Sequence, residues 1–266
     1  MKNILIIGAG NLGLDLEQEA LRQGFSVMMA SRMNGFSYPD NKLSSIGVQL
    51  EWADTIFCTV GAGSVEQAEK DFGPFADLHI RLPMELIQKA RDHHDLVFFS
   101  TDYLHEPGGF HPDRSLYAIS KATMERCIEK VRRPKTHVFT IGSLYGNHKP
   151  ANTLPGKILS SYKATGYAKG VQNKVRPTPT DWAAKEILKR MEVIGDDNIV
   201  ECITPKDIVS CYEFAWHLTD GKAFPDNQDQ RRPNAHPLPH LGKMNNSPSW
   251  QELWDERASW WKETFK

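Results

Sequence analysis

The chain has 266 residues, of which 40% are hydrophobic and 24% charged, and a formal net charge of −1. This composition is typical of a globular protein and excludes disordered, fibrous and coiled-coil chains; the length suits one large domain or a domain with a smaller appendage. The near-neutral charge argues against a general binder of polyanions.

Six short apolar runs rich in Val, Ile and Phe alternate with stretches long enough for helices. In chain order, the predicted strands are Asn3–Ile7, Phe25–Ala30, Thr55–Thr59, Leu96–Ser100, His137–Ile141 and Ile199–Ile203. The predicted helices, with apolar residues three and four apart, are Leu12–Gln23, Phe75–His93 and Ser115–Val131. Gly24 follows the first helix, where glycine commonly ends helices. This alternation predicts an α/β fold with a doubly wound parallel sheet covered on both faces.

A glycine-rich turn joins the first strand to the first helix, with the sequence Gly8-Ala9-Gly10-Asn11-Leu12-Gly13. In the G-x-G-x-x-G motif, the first glycine makes the tight turn, the second lets the backbone approach a pyrophosphate, and the third allows close helix packing. The helix N-terminus at Asn11 and Leu12 offers unpaired N–H groups to the anion. The turn therefore predicts a Rossmann-type cofactor site, with a glycine turn that binds nothing as the alternative.

The end of the second strand indicates which dinucleotide is preferred. A site for NAD(H) usually places Asp or Glu there, on the ribose 2′-hydroxyl, whereas this chain has Ala30-Ser31-Arg32. A guanidinium beside a hydroxyl, Arg32 beside Ser31, suits a 2′-phosphate, which the guanidinium can bind through two hydrogen bonds. We therefore predict NADP(H) in preference to NAD(H); the alternative is a solvent-facing Arg32.

A tyrosine and a lysine lie one helical turn apart in the third predicted helix, at Tyr117 and Lys121. Two other Tyr-x-x-x-Lys pairs begin at Tyr38 and Tyr145, but both fall in predicted loops. Only the first pair therefore has a helix to fix its geometry. An ordinary amphipathic helix with a surface lysine is the alternative.

This pair suits proton transfer. A fixed ammonium such as that of Lys121 favours the phenolate and lowers the pKa of a neighbouring phenol. Tyr117 can then exchange a proton with a substrate oxygen during hydride transfer at a nicotinamide. Thr101 or Ser100, at the end of the fourth strand, would hydrogen-bond to the same oxygen.

Acidic residues are absent from two segments, residues 147–180 and 230–250. The first of them carries six positive charges, so we expect loops that build a substrate pocket, with a solvated basic face as the alternative. The candidate substrate-binding residues are Lys149, Asn152, Arg176 and Arg232. We expect residues 1–146 to form the Rossmann domain, residues 181–204 to return to it, and residues 147–266 to form mainly a smaller substrate lobe.

Other features exclude several classes of function. No apolar run approaches the roughly 20 residues of a membrane span, and no aromatic-interleaved nucleic-acid motif accompanies the basic segments, so we expect a cytoplasmic protein without membrane or nucleic-acid partners. No metal site is expected, because His93-His94, His236 and His240 lack companions at a ligand spacing.

The cysteines and tryptophans are expected to serve packing. The four cysteines, Cys58, Cys127, Cys202 and Cys211, lie far apart in apolar segments, which indicates reduced core residues rather than zinc ligands or disulfides. Four tryptophans recur at intervals compatible with one helix stripe, at Trp250, Trp254, Trp260 and Trp261. Such a stripe serves packing or a subunit contact, so a homodimer stays open.

These motifs together resemble the short-chain dehydrogenase/reductase superfamily, and within its extended branch the dTDP-4-dehydrorhamnose reductase-like family, relatives of the NAD-dependent epimerases and dehydratases. The resemblance covers most of the chain. Its segments are Phe99–Leu104, Gly61–Glu69, Ile141–Gly146, Arg231–Asn234 and Ser249–Leu253. It implies that Thr101 is the catalytic hydroxyl and that the segment with Val60, Gly61 and Ala62 lies along the cofactor.

The resemblance also implies a reaction, the NADPH-dependent reduction of a 4-keto group on a nucleotide-linked deoxysugar. Tyr117 would be the general acid, and Lys121 would tune it and bind the nicotinamide ribose. Two alternatives stay open: a non-catalytic NADP-binding regulatory subunit of another enzyme, and a sugar-nucleotide epimerase of the same superfamily. At the position of the family's helix asparagine stands His79, either a member of a hydrogen-bond chain or a plain helix-face histidine.

Overall fold

A computed structural model describes residues 2–106, 109–110, 115–195, 199–226 and 247–265. The strands are β1 Asn3–Ile7, β2 Ser26–Ala30, β3 Thr55–Cys58, β4 Asp95–Thr101, β5 His105–Glu106, β6 Gly109–Phe110, β7 Thr136–Ile141, β8 Ser143–Tyr145, β9 Ala168–Val171, β10 Lys174–Val175, β11 Pro177–Pro179, β12 Ile199–Ile203, β13 Val209–Ser210 and β14 Ala223–Asp226. The helices are α1 Asn11–Arg22, α2 Gly47–Trp52, α3 Val65–Lys70, α4 Gly73–Ala76, α5 Leu82–Lys89, α6 Leu116–Val131, α7 Leu154–Thr165, α8 Thr180–Val193, α9 Cys211–Leu218, α10 Trp250–Asp255 and α11 Ala258–Thr264.

The main sheet has six parallel strands in the order β12-β7-β4-β3-β1-β2. The central strands β3 and β7 are buried throughout, as expected of a parallel sheet covered on both faces. All six predicted strands lie in this sheet, and their ends differ from the predicted ones by at most one residue. The prediction of a doubly wound α/β fold of Rossmann type is therefore confirmed.

The strand order fixes where a ligand crevice can form. Strands β2 and β3 lie on opposite sides of β1, so the chain reverses direction across the sheet between β1 and β3. In open α/β sheets, ligands bind outside the carboxyl ends of the strands at such a switch point. The glycine turn after β1 and the loop after β3 flank this point.

One predicted helix is continuous but less regular and shorter than expected, since the backbone is helical from Gly73 to Lys89. The predicted helix Phe75–His93 is instead α4, a π-helical turn at Asp77–Arg81, and α5. In a regular α-helix the N–H of residue 83 would bond to the carbonyl of His79, but Pro83 has no N–H and its ring clashes with that carbonyl. The wider turn avoids this clash.

A second hydrophobic cluster lies outside the main sheet, where Trp254 and Trp261 pack with Tyr145 and Phe214. The predicted packing role of the tryptophans is confirmed for these two, which are 1% and 0% exposed. The prediction of one helix is wrong, because α10 and α11 are separate. The break between them coincides with Arg257, whose Nη2 donates to Asp181 on α8 at 2.8 Å.

The prediction for the cysteines is confirmed in part. All four cysteines are free, but only Cys58 and Cys211 are buried; Cys127 and Cys202 are partly exposed, so the core prediction holds for two of them. Among the described residues, no group of three or more His, Cys, Asp or Glu is arranged to hold a metal ion. In the same part of the chain, no helix combines the length and apolar character needed to cross a bilayer.

Candidate active site

The glycine turn has the steric properties that its motif predicts. Gly8 has φ +114°, and a Cβ there would lie 2.9 Å from Thr59 Oγ1. A Cβ on Gly13 would lie 2.1 Å from the Gly8 carbonyl oxygen, so only glycine lets α1 pack this closely on the turn. A Cβ on Gly10 would meet nothing within 4 Å, so the outer face of the turn is open to a ligand.

The first turn of α1 is suited to an anion. Its N-cap is Gly10, which has no capping side chain, and its first turn contains no acidic residue. The Asn11 side chain accepts a hydrogen bond from the Lys149 N–H at 2.7 Å, and Lys149 Nζ donates to the Ala9 carbonyl at 2.7 Å. Leu12 is buried in the core, so it can offer a ligand only its backbone.

The predicted 2′-phosphate residues lie at the carboxyl end of β2. The side chain of Arg32 is exposed. Ser31 is buried, its hydroxyl donates to Asn34 Oδ1 at 3.2 Å, and its N–H donates to the same oxygen at 2.6 Å. The Ser31 hydroxyl therefore stabilises the short helical turn at Arg32–Asn34, which leaves the guanidinium as the exposed donor.

The loop after β3 lies on the other side of the switch point. Val60 packs against the core, Gly61 is exposed and Ala62 is partly buried. At Gly63, φ is +133° and a Cβ would lie 2.2 Å from Gln67 Oε1. This glycine lets the loop turn directly into α3, so the backbone of residues 60–62 borders the crevice.

Tyr117 and Thr101 meet at the carboxyl end of β4. Ser115 caps α6 by accepting the Ala118 N–H at 3.1 Å, which fixes Tyr117 in the first turn of the helix. Hydrogen bonding by the Thr101 hydroxyl lowers the pKa of the Tyr117 phenol. Ser100 points to the opposite face of the strand, toward the Glu125 carboxyl. Of the two predicted hydroxyls, Thr101 is thus the one placed beside the phenol.

The pKa values of Tyr117 and Lys121 differ from the prediction. Lys121 is buried, and its Nζ donates to the Phe99 carbonyl at 2.8 Å. Burial lowers the pKa of Lys121 to about 8. Burial raises the pKa of the Tyr117 phenol, Tyr103 and Asp102 raise it further, and only the Thr101 hydroxyl lowers it. The predicted lowering of this pKa by Lys121 is therefore wrong for the protein without ligands, because the ammonium is held on the β4 backbone.

Two residues next to Thr101 belong to the site and were missed by the sequence analysis. The ring of Tyr103 lies 6.5 Å from that of Tyr117 in a T-shaped contact, and its hydroxyl lies 3.5 Å from Ser143 Oγ. Asp102 is fully buried, and its Oδ2 lies 3.4 Å from Arg176 Nη1. Burial raises the pKa of Asp102 to about 6 against the opposing effect of Arg176. The available signal was an acid directly after the uncharged run Leu96–Thr101 of a predicted buried strand.

The predicted substrate-binding residues do not lie together. Lys149 lies on the glycine turn, Asn152 is exposed at the end of a short helical turn, and Arg176 is buried against Asp102. Arg232 lies outside the described residues. Of these candidates, only Arg176 is close to the residues around Thr101.

Comparisons with known proteins agree with this architecture. A dTDP-4-dehydrorhamnose reductase from Clostridium acetobutylicum is 18% identical with a TM-score of 0.76, over 98% of this chain and 99% of that chain. A dTDP-4-dehydrorhamnose reductase from Bacillus anthracis, in complex with NADP, is 19% identical with a TM-score of 0.76, over 96% of each chain. A UDP-glucose 4-epimerase from Thermotoga maritima, with UDP-glucose, is 15% identical with a TM-score of 0.76, over 99% of this chain and 100% of that chain.

These solved structures establish a shared fold. The chain has the fold of the nucleotide-sugar reductases and epimerases. No family model and no curated protein matches the sequence. The family resemblance in the sequence motifs thus has a structural counterpart along nearly the whole chain.

Proposed function

We propose that this protein is an NADP(H)-dependent reductase of a keto group on a nucleotide-activated sugar. The observation that carries the proposal is the placement of Tyr117, Thr101 and Lys121 at the carboxyl end of β4, on the edge of the sheet that also holds the glycine turn. A nicotinamide dinucleotide suits this edge because the Gly10 backbone is open and the first turn of α1 has no side-chain cap.

In the proposed reaction, the protein orients the substrate carbonyl and donates one proton. A nicotinamide dinucleotide held at the glycine turn of Gly8, Gly10 and Gly13 would supply the hydride for the carbonyl carbon, and the carbonyl oxygen would take up the electron pair of the C=O bond. Thr101 donates a hydrogen bond to this oxygen. Tyr117 then gives its phenolic proton to the resulting alkoxide and becomes a phenolate, which solvent reprotonates.

The raised pKa of Tyr117 is compatible with this role. A phenol that holds its proton at neutral pH is in the form that a general acid requires. The sugar alkoxide is far more basic than a phenolate, so the proton moves downhill even from a phenol of raised pKa. Lys121, which donates to the Phe99 carbonyl in the protein without ligands, would bind the nicotinamide ribose; it would stabilise the phenolate only if the ammonium leaves this carbonyl when a dinucleotide binds.

The cofactor and substrate preferences rest on charge. The exposed Arg32 favours NADP(H), and one of the similar solved structures is a complex with NADP. The segment 147–180, with six cations and no acid, favours a diphosphate-linked substrate. Residues 147–266, apart from 181–204, would form most of the substrate lobe.

The test is an assay of NADPH oxidation by the purified protein with a panel of 4-keto nucleotide sugars. The proposal predicts oxidation with at least one of them and formation of the corresponding hydroxy sugar, with slower turnover on NADH. Interconversion of two nucleotide sugars without net NADPH oxidation would favour an epimerase. Tight cofactor binding without turnover on any sugar would favour a regulatory subunit.

A further inference from the structure

His79 joins the two halves of the site. It is 1% exposed and is the only buried residue of the π-helical turn Asp77–Arg81. Its Nδ1 lies 2.8 Å from Ser120 Oγ, on the helix that carries Tyr117 and Lys121. Its Nε2 accepts a long hydrogen bond of 3.4 Å from the N–H of Ala62, in the loop after β3. One imidazole thus contacts both the cofactor loop and the proton-transfer helix.

These contacts define the protonation state of the ring. The Ala62 N–H can only donate, so Nε2 must be unprotonated and Nδ1 must carry the hydrogen. Nδ1 then donates to Ser120 Oγ, which itself donates to the Tyr117 carbonyl at 2.7 Å. Burial lowers the pKa of His79 well below its usual value, and Lys121 lowers it further. The neutral ring can therefore serve as donor and acceptor at the same time.

The backbone holds this histidine in place. The π-helical turn ahead of Pro83 adds to the helix the width that brings His79 inward, and single turns of this kind are frequent at functional sites. The His79 ring makes edge contacts with the rings of Phe75 at 5.4 Å and Tyr117 at 5.6 Å. The imidazole therefore contacts the ring of Tyr117 directly and the carbonyl of Tyr117 only through Ser120.

We propose that His79 is a positioning residue that sets the spacing between the cofactor loop at residues 60–63 and the phenol of Tyr117. The inference rests on the proposed function. With the loop bonded to one ring nitrogen and helix α6 to the other, a dinucleotide that contacts the loop is held at a fixed distance from the proton donor. Loss of the Ala62 bond frees the loop, and loss of the Ser120 bond frees the ring.

Two amide substitutions separate the two bonds. In His79→Gln, the amide reaches the place of Nε2 and can accept the Ala62 N–H. In His79→Asn, the amide reaches only the place of Nδ1 and can bond only Ser120. We expect His79→Gln to bind NADPH within about 3-fold of the wild type, and His79→Asn to bind it about 3–10-fold more weakly. The readout is the dissociation constant from NADPH fluorescence, together with the thermal midpoint of each variant.

A third variant tests the Ser120 bond without changing His79, in case a His79 variant does not fold. Ser120→Ala keeps the imidazole and removes its Nδ1 partner, so we expect an NADPH dissociation constant raised about 3-fold. If His79 is purely structural, NADPH affinity should instead follow thermal stability across the variants, whichever ring nitrogen the substituted amide replaces.

The outcomes distinguish the two proposals. Rescue of NADPH affinity by Gln and not by Asn, without a matching difference in thermal midpoint, supports the positioning role. Equal NADPH affinity for both variants, in a protein whose wild type binds NADPH, overturns the positioning role and leaves the proposed function intact. A wild type without affinity for NADPH or NADH overturns both.

Discussion

The two halves of the candidate site are built by opposite means. The glycine turn depends on missing side chains, since a Cβ on Gly8 or Gly13 would collide with neighbouring atoms. The half proposed for proton transfer depends on buried polar side chains, with Lys121 at 7% exposure and Thr101 also buried. Backbone N–H groups that stay exposed in the turn have no desolvation cost, whereas a buried ammonium loses hydration that its partners only partly replace.

This difference gives the two halves different sensitivities to substitution. The glycine turn depends on backbone shape, so a Cβ on Gly8 or Gly13 should distort it. The proton-transfer half is retained at a cost in stability, so its residues should be replaceable without loss of the fold. Each prediction below tests one side of this contrast.

The largest expected effect is that of Lys121→Met. The methionine keeps the apolar stem and removes a buried charge, so we expect a thermal midpoint equal to or above that of the wild type. We expect kcat for reduction to fall by about 10²–10⁴-fold, since the phenolate loses its cation. Lys130→Met, at an exposed position on the same helix, is the control. A Lys121→Met variant with a lower thermal midpoint and full activity would contradict both expectations.

Two glycine substitutions test the glycine turn in different ways. Gly13→Ala places a Cβ 2.1 Å from the Gly8 carbonyl, so we expect a loss of about 1–3 kcal/mol in the free energy of unfolding. Gly10→Ala meets no atom within 4 Å, so we expect unchanged stability and an NADPH affinity at least about 10-fold weaker. Urea unfolding and NADPH titration measure the two effects. Equal NADPH affinity in Gly10→Ala and the wild type would place the cofactor elsewhere.

The cost of burying polar groups also predicts a pH dependence of stability. Burial lowers the pKa of His94 to about 4, with His93, Arg133 and Arg91 adding to the effect. Between about pH 6.5 and pH 4, the unfolded chain binds a proton at this residue and the folded chain does not, so stability falls as the pH falls. We expect a loss on the order of 1–3 kcal/mol across this window.

Urea unfolding at several pH values measures this loss. His94→Asn should flatten the pH dependence between pH 6.5 and pH 4. An unchanged slope in that variant would assign the effect to other groups, of which the buried His79 is the first candidate.

The smallest expected effect is a change in cofactor preference. Arg32→Gln removes the exposed guanidinium at the end of β2, so we expect an NADPH dissociation constant raised about 10-fold and an unchanged one for NADH. Fluorescence titration with both dinucleotides measures the ratio. A parallel loss of affinity for both would show that Arg32 contacts a part that the two cofactors share.

The sequence predicted the fold and the steric roles of Gly8 and Gly13 for a physical reason. Strands buried on both faces have continuous apolar runs, and the roles of Gly8 and Gly13 follow from backbone geometry alone. The Tyr117–Lys121 spacing was equally visible. What the sequence could not show was the environment of these side chains, because burial is set by residues distant in the chain.

Two features of the site were missed or mispredicted for this reason, and the π-helical turn was missed for a local one. The effect of Lys121 on Tyr117 was predicted from helical spacing, but the ammonium is bonded to the Phe99 carbonyl on β4. The π-helical turn was missed because an apolar pattern does not reveal the effect of Pro83 on the carbonyl four residues earlier. The contact of Asp102 with Arg176 joins residues that are 74 positions apart, and no local pattern predicts it.

The most direct test of the central claim is Tyr117→Phe. The substitution removes one hydroxyl and leaves the ring contacts of Tyr117 with Phe75 and His79 in place. The proposed mechanism predicts NADPH binding equal to that of the wild type and a kcat for keto-sugar reduction lower by about 10²–10⁴-fold. Unimpaired turnover in this variant would contradict the claim that the phenol delivers the proton.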